Sequence, residues 1–161
     1  MVGTYQLHPT AIVEDGAVIG DGCRIGPFCH IGPQVVLGAG AHLRSHVVLA
    51  GRTSIGPNAQ IYPFASIGND PQHLKYQGED TRLVIGSNCL IREHVTLNPG
   101  TVQGRNETTV GDNCAFFTGS HVAHDCVVGS NVTLINNVML AGHCVVGDFA
   151  TIAGGSGIHQ F

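Results

Sequence analysis

Ile19-Gly20-Asp21-Gly22-Cys23-Arg24-Ile25-Gly26-Pro27-Phe28-Cys29-His30-Ile31-Gly32-Pro33-Gln34-Val35-Val36-Leu37-Gly38 is one six-residue phrase said three times over. A large aliphatic residue is followed by Gly, and four places after the aliphatic comes a small or β-branched residue. Reading outward, the aliphatic position is held by Leu7, Val13, Ile19, Ile25, Ile31, Leu37, Leu43, Leu49, Ile55, Ile61 and Ile67. It returns as Phe116, Val122, Val128, Leu134, Leu140, Val146, Ile152 and Ile158. A period of six contains the strand period of two and fits no helical period, so the sequence predicts short strands separated by turns. Sustained hexapeptide repetition is a signature of an all-β parallel β-helix, in which each coil buries its inward side chains against its neighbours.

Composition agrees. The 161 residues suit one domain with its own core, spanning 1–161, and no second domain is expected. Charged residues are only 11% of the chain and Trp is absent, while 23 Gly and 43% apolar residues suit many similar tight turns. A formal charge of −4 gives no basic footprint, so nucleic acid is not an expected partner. No apolar run approaches the ~20 residues that span a bilayer. The N-terminus lacks the charged-then-apolar build of a signal peptide, and a soluble, cytoplasmic protein is expected. Cys23, Cys29, Cys89, Cys114, Cys126 and Cys144 all stand at the small-residue position of their hexads, without any C-x-x-C pair. They read as free thiols filling a core in a reducing compartment rather than as disulfides or metal ligands.

The hexapeptide form, with Gly second and a small residue fifth, resembles the left-handed parallel β-helix family, in which three hexads close one triangular coil. That resemblance implies about seven coils, a prism about 30–35 Å long at the ~4.8 Å strand spacing. Two interruptions break the phase and are expected to loop out. The first, about 68–83, carries Asn69-Asp70-Pro71-Gln72-His73-Leu74-Lys75-Tyr76-Gln77-Gly78-Glu79; the second, about 103–109, carries Gly104-Arg105-Asn106-Glu107. Loops projecting from a rigid scaffold commonly bind ligands. A tolerated insertion is an equally good reading of the second.

With three hexads per coil, residues 18 apart lie above one another. Gly142 then falls one coil on from His124 and Gln160 one further, His143 one coil on from Asp125, and His159 one coil on from Ala141. His121, His124, His143 and His159 are thereby expected along one edge. His8, His30, His42 and His46 read as scattered surface histidines. Three chemistries are open for the edge cluster. A neutral imidazole oriented by a carboxylate such as Asp125 serves as a general base. Three His can hold zinc, as in hydratases of the γ-carbonic-anhydrase type. A ladder of stacked side chains is the third.

Several segments resemble a particular family, the UDP-N-acetylglucosamine O-acyltransferases of lipid A biosynthesis. They are His121-Val122-Ala123-His124-Asp125-Cys126, Asn136-Asn137, Leu140-Ala141-Gly142-His143, Ile158-His159-Gln160-Phe161, Leu74-Lys75-Tyr76 and Gly100-Thr101-Val102-Gln103-Gly104. The resemblance implies transfer of a (3-hydroxy)acyl chain from acyl carrier protein to the 3-hydroxyl of UDP-N-acetylglucosamine. It implies no metal and no cofactor beyond the carrier's phosphopantetheine. It places the general base at His124, beside Asp125, and the oxyanion donor at the Gly142 amide. Substrate contacts are implied for Gln72, His73, Lys75, His121, Asn136, His143, His159 and Gln160, Lys75 being a sensible point charge for phosphate. It implies a homotrimer with sites between subunits, the first loop of one chain lying over the edge of another.

The chain departs from the family at His73, where Asp is frequent, and at Asn98-Pro99. It stops at Phe161 in mid-coil, whereas the family continues into further coils and a C-terminal helical domain, so a piece of a longer protein is expected. A zinc hydratase and a catalytically silent β-helix remain as alternatives. An ice-binding face would need a ladder of Thr at 18-residue spacing, which Thr81, Thr96, Thr101, Thr108 and Thr109 do not form. The combination of H-x-x-H-D, A-G-H and H-Q-F argues against the related acyltransferase that acts on a 2-amine.

Overall fold

A computed structural model describes residues 4–161. The described residues form 23 strands of two or four residues and no helix. Every third strand joins the same parallel sheet, giving sheet A and sheet B with eight strands each and sheet C with seven. This is the parallel β-helix that the hexads predict, left-handed as the resemblance implies, with seven full coils and two strands of an eighth. Neighbouring strands are offset by 18 residues where the repeat is unbroken, as in Leu7 against Ile25 or Leu37 against Ile55. The offset grows to 30 across the first insertion (Ile61 against Ile91) and to 25 across the second (Ile91 against Phe116).

In each two-residue strand the second side chain points inward. Ile31, Leu43, Leu49, Ile61, Ile67, Ile91, Leu97, Val122, Leu134 and Leu140 are all fully buried. The six cysteines are buried and free and fill the narrow space where each turn rejoins the wall. Burial pushes the Cys126 thiol up to about 12, which suits a core filler and not a nucleophile.

The corners need a residue in the left-handed region, which Asn and Asp reach more easily than other non-Gly residues. At the corner from sheet C to sheet A this position is Asn58, Asn88, Asn113 and Asn131, each with φ near +60°, between 57° and 61°. The first three chain their amides at 3.1 Å. At the corner from A to B it is Phe28, His46, Phe64 and His94, whose rings stack at 4.9 to 5.1 Å. His46 is therefore a rung of a structural ladder, not a scattered surface histidine. His30 is held by Glu14 at 2.8 Å.

The insertions are shorter or shifted relative to expectation. The first ends at Thr81, because Arg82–Ile85 is already strand, and the second runs from Asn98 to Asn106, because Glu107–Val110 is strand. The returning chain enters sheet C as four residues alternating out and in, so Leu83 and Thr108 pack inward beside Thr53. Both loops leave sheet B directly, after Ile67 and after Leu97, and both return to sheet C. They therefore emerge at the same corner, one coil apart, and the next turn along it is Ala123–Cys126.

Among the described residues Phe116 is the one aromatic ring fully enclosed in the core. Phe116→Ala is expected to destabilise the chain by about 3–5 kcal/mol, read as a lowered urea or thermal midpoint.

Candidate functional site

The corner between sheets B and C gathers His73, His124, Asp125 and His143. His121–Val122 is a strand of sheet B, Val127–Val128 is a strand of sheet C, and Ala123–Cys126 is the turn between them. Asp125 takes the left-handed position with φ 61°, and His143 takes it one coil on with φ 64°. Asp125 is 1% exposed, so its carboxylate has to be paid for by donors. The second loop supplies them. Oδ1 accepts the amides of Thr101 at 3.0 Å and Arg105 at 2.7 Å, and Oδ2 accepts the Thr101 hydroxyl at 2.6 Å. Oδ2 also meets His124 Nδ1 at 2.8 Å. Burial pushes the Asp125 carboxyl upward, but these hydrogen bonds outweigh it and hold it below the ordinary carboxylate range. An ionised Asp125 fixes the His124 proton on Nδ1 and leaves Nε2 with a free lone pair.

Gly142 lies directly beneath the His124 ring. A Cβ built there would come within 2.4 Å of Cε1 and 2.7 Å of Nε2, so only Gly lets the imidazole rest in place. The same logic applies above, where a Cβ at Gly104 would meet the Asp125 carboxylate at 2.3 Å. The Gly142 amide has a further property, set by the coil. Six of the seven prolines, Pro9, Pro27, Pro33, Pro57, Pro63 and Pro99, stand two places after the inward aliphatic residue. The wall-to-wall ladder thus has no use for an N–H at that position, and Gly142 occupies it after Leu140. Elsewhere in the chain this amide captures carboxylates: Ser87 N donates to Asp112 Oδ1 at 2.6 Å and Ser130 N to Asp148 Oδ1 at 2.7 Å.

The first loop folds over this corner within the same chain. Buried Asn98 ties it down, accepting from the Gln72 amide and donating to Asn69 O, both at 3.4 Å. His73 meets the His124 ring edge-on at 4.9 Å, and its Nδ1 is buried without a partner. On the other side His143 meets His124 edge-on at 5.1 Å and stacks on Phe161. Gln72 and Lys75 are exposed on the outside of the loop.

The edge cluster is therefore split. His124 and His143 sit at the corner with His73, whereas His121 and His159 line an apolar groove of about 380 Å³ on the outer face of sheet B, with Met139 between them. His121 Nδ1 pairs with Thr96 Oγ1 at 2.7 Å, and burial holds its imidazole below the ordinary value. Gln160 is exposed, one coil beyond Gly142. Asn136 is not brought to the site within the chain. It lies exposed in the turn after Thr133–Leu134, at the corner between sheets A and B, because its hexad is a whole strand away from His124.

Sequence reasoning missed Thr101, Arg105 and Asn98. Asn98 had a signal, since most hexads place Gly or Ala after the aliphatic. The Arg105 amide had none.

Replacing the Thr101 hydroxyl tests the hub. Asp125 is depressed in the folded state, so its stabilisation is present at neutral pH and is lost as pH falls below about 3.9 through the lower folded value. Thr101→Val is expected to cost about 1–3 kcal/mol at pH 7, with the gap from the parent closing in acid. Urea melts across that pH range measure it.

Comparison with known proteins gives the chain its relatives. The bacterial transferase hexapeptide family (six repeats) matches residues 6–51. An acyl-[acyl-carrier-protein]--UDP-N-acetylglucosamine O-acyltransferase of Sinorhizobium fredii is 56% identical over 161 residues, covering 100% of this chain and 60% of its own length. The crystal structure of UDP-N-acetylglucosamine O-acyltransferase from Moraxella catarrhalis RH4 superposes with a TM-score of 0.94 at 48% identity, over 96% of this chain and 60% of that one. The Bacteroides fragilis 9343 UDP-N-acetylglucosamine acyltransferase superposes with a TM-score of 0.84 at 33% identity, over 96% of this chain and 67% of that one. The chain thus spans about 57–60% of the length of the curated relatives with which it aligns throughout. With its hexapeptide repeat matched and nearly all its residues aligned with these relatives, the chain belongs to the family of the UDP-N-acetylglucosamine O-acyltransferases.

Proposed function

We propose that this chain carries the acyl-transfer centre for moving a (3-hydroxy)acyl group from acyl carrier protein to the 3-hydroxyl of UDP-N-acetylglucosamine, the first step of lipid A biosynthesis. The observation that carries the reading is the His124 ring, held by buried Asp125 through Nδ1 and resting on the bare backbone of Gly142. His124 Nε2 takes the proton of the attacking hydroxyl as the new C–O bond forms at the thioester carbonyl. Negative charge on that oxygen is met by the Gly142 N–H, in the position whose amides bind carboxylate oxygens at Ser87 and Ser130. Collapse breaks the C–S bond, and the proton on His124 goes to the departing thiolate. Asp125 keeps its charge and stabilises the imidazolium, so the balance needs no covalent enzyme intermediate and no cofactor.

His73, His143 and Gln160 are assigned to the acceptor around the base, and Lys75 and Gln72 to its diphosphate from the outer loop. The groove between His121 and His159 gives the substrate an apolar floor beside the corner. Asn136 is assigned to a substrate held between subunits of a homotrimer, which accounts for its place on a different corner. The setting is cytoplasmic, where acyl carrier protein is available. No helix of the described chain is long and apolar enough to cross a membrane. The zinc hydratase reading is not favoured, because the relatives are named as acyltransferases.

The test is acyl transfer from acyl carrier protein to UDP-N-acetylglucosamine. His124→Ala should lose about 10²–10⁴-fold in kcat with the β-sheet circular dichroism retained; a folded His124→Ala protein with parental activity removes the base from the mechanism. Gly142→Ala keeps the amide but displaces the ring, so its activity should also fall, and imidazole NMR should show the His124 Nδ1 proton freed from Asp125.

A further inference from the structure

We propose that His124, Asp125 and His143 also form a binding site for one zinc-type transition-metal ion, and that this ion silences the base. Their candidate donor atoms all lie within 4.8 Å of one another. Asp125 Oδ1 is spent on two amides and Oδ2 on one hydroxyl, and the remaining side of Oδ2 faces two imidazole nitrogens. These are His124 Nδ1 at 2.8 Å and His143 Nε2 at 3.9 Å. Around tetrahedral zinc, bonds of ~2.0–2.1 Å put neighbouring donors about 3.3 Å apart, and the two distances bracket that value. Two imidazoles and one carboxylate with a fourth position open are a familiar zinc donor set. Nitrogen-rich ligation selects zinc or cobalt over magnesium or calcium. Loop hydrogen bonds fix the carboxylate, and the His143 amide donates to His124 O at 3.0 Å, so only the two rings need to turn to close on an ion.

The chemistry of occupation is a tautomer switch. The ion takes the Nδ1 lone pair of His124, the Nδ1 proton leaves to solvent, and the neutral ring takes its single proton on Nε2 instead. Protons balance, and Nε2 can no longer accept one. The silencing rests on the reading of His124 as base, whereas the metal site does not.

The experiment uses the purified chain and metal alone. Co²⁺ should give the visible bands of a four-coordinate ion, saturating near one equivalent and bleached by Zn²⁺. His143→Asn removes one ligand at a left-handed position that Asn131 and Asn137 already adopt, each with φ 58°, so the fold is kept. Its metal affinity should fall by at least about tenfold, the scale on which even outer-shell losses are felt. Imidazole ¹⁵N NMR should show His124 passing from the Nδ1–H to the Nε2–H form on addition of Zn²⁺ and back with a chelator. Absence of stoichiometric Co²⁺ binding, or unchanged affinity in His143→Asn, overturns the site. Binding with the His124 proton still on Nδ1 overturns the silencing alone. Neither outcome bears on the acyl-transfer result with His124→Ala.

Discussion

Parallel pairing between one coil and the next is the constraint from which the site follows. Each wall accepts two residues per strand, or four at three strands of sheet C, before the chain must turn, and each turn must return the next aliphatic side chain to the same interior. Residues one circuit apart are then held a strand spacing from one another, however the intervening chain is spent. Extra residues cannot be absorbed in a wall without turning its inward side chains outward. They have to leave at a corner, and both insertions leave at the one that carries His124. A rigid lattice thereby brings loops separated by dozens of residues onto a single imidazole.

Asp125 converts that stacking into a working geometry. A carboxylate with no water contact is stable only when donors surround it, and the donors here come from the second loop. The same anion sets the tautomer of the neighbouring ring. The orientation of the His124 ring and the shape of the second loop are thus one electrostatic arrangement, and Gly104 and Gly142 keep side chains out of it above and below.

The fold was legible because its physical cause is periodic: the interior admits one large and one small side chain per hexad, and both intervals are written in the residues. Stacking of His124 over Gly142 and of Asp125 over His143 followed from the same count. The ends of the insertions were read late, by two residues at Leu83 and by three at Thr109. In each case an inward residue of a four-residue strand falls between hexad positions. The amide donors to Asp125 were illegible because a backbone amide has no letter of its own. Asn136 was grouped with the site through resemblance, and the topology puts it at another corner. His46 looked incidental because the φ requirement it meets appears only once the turns are built.

The amide that the coils leave unused has an evolutionary consequence. Any rung whose proline is exchanged for another residue gains an outward donor at no cost to the wall, already aimed where an anion can sit. Anion-binding positions on such a prism are therefore portable: one can arise on a fresh rung without disturbing the walls that hold the others.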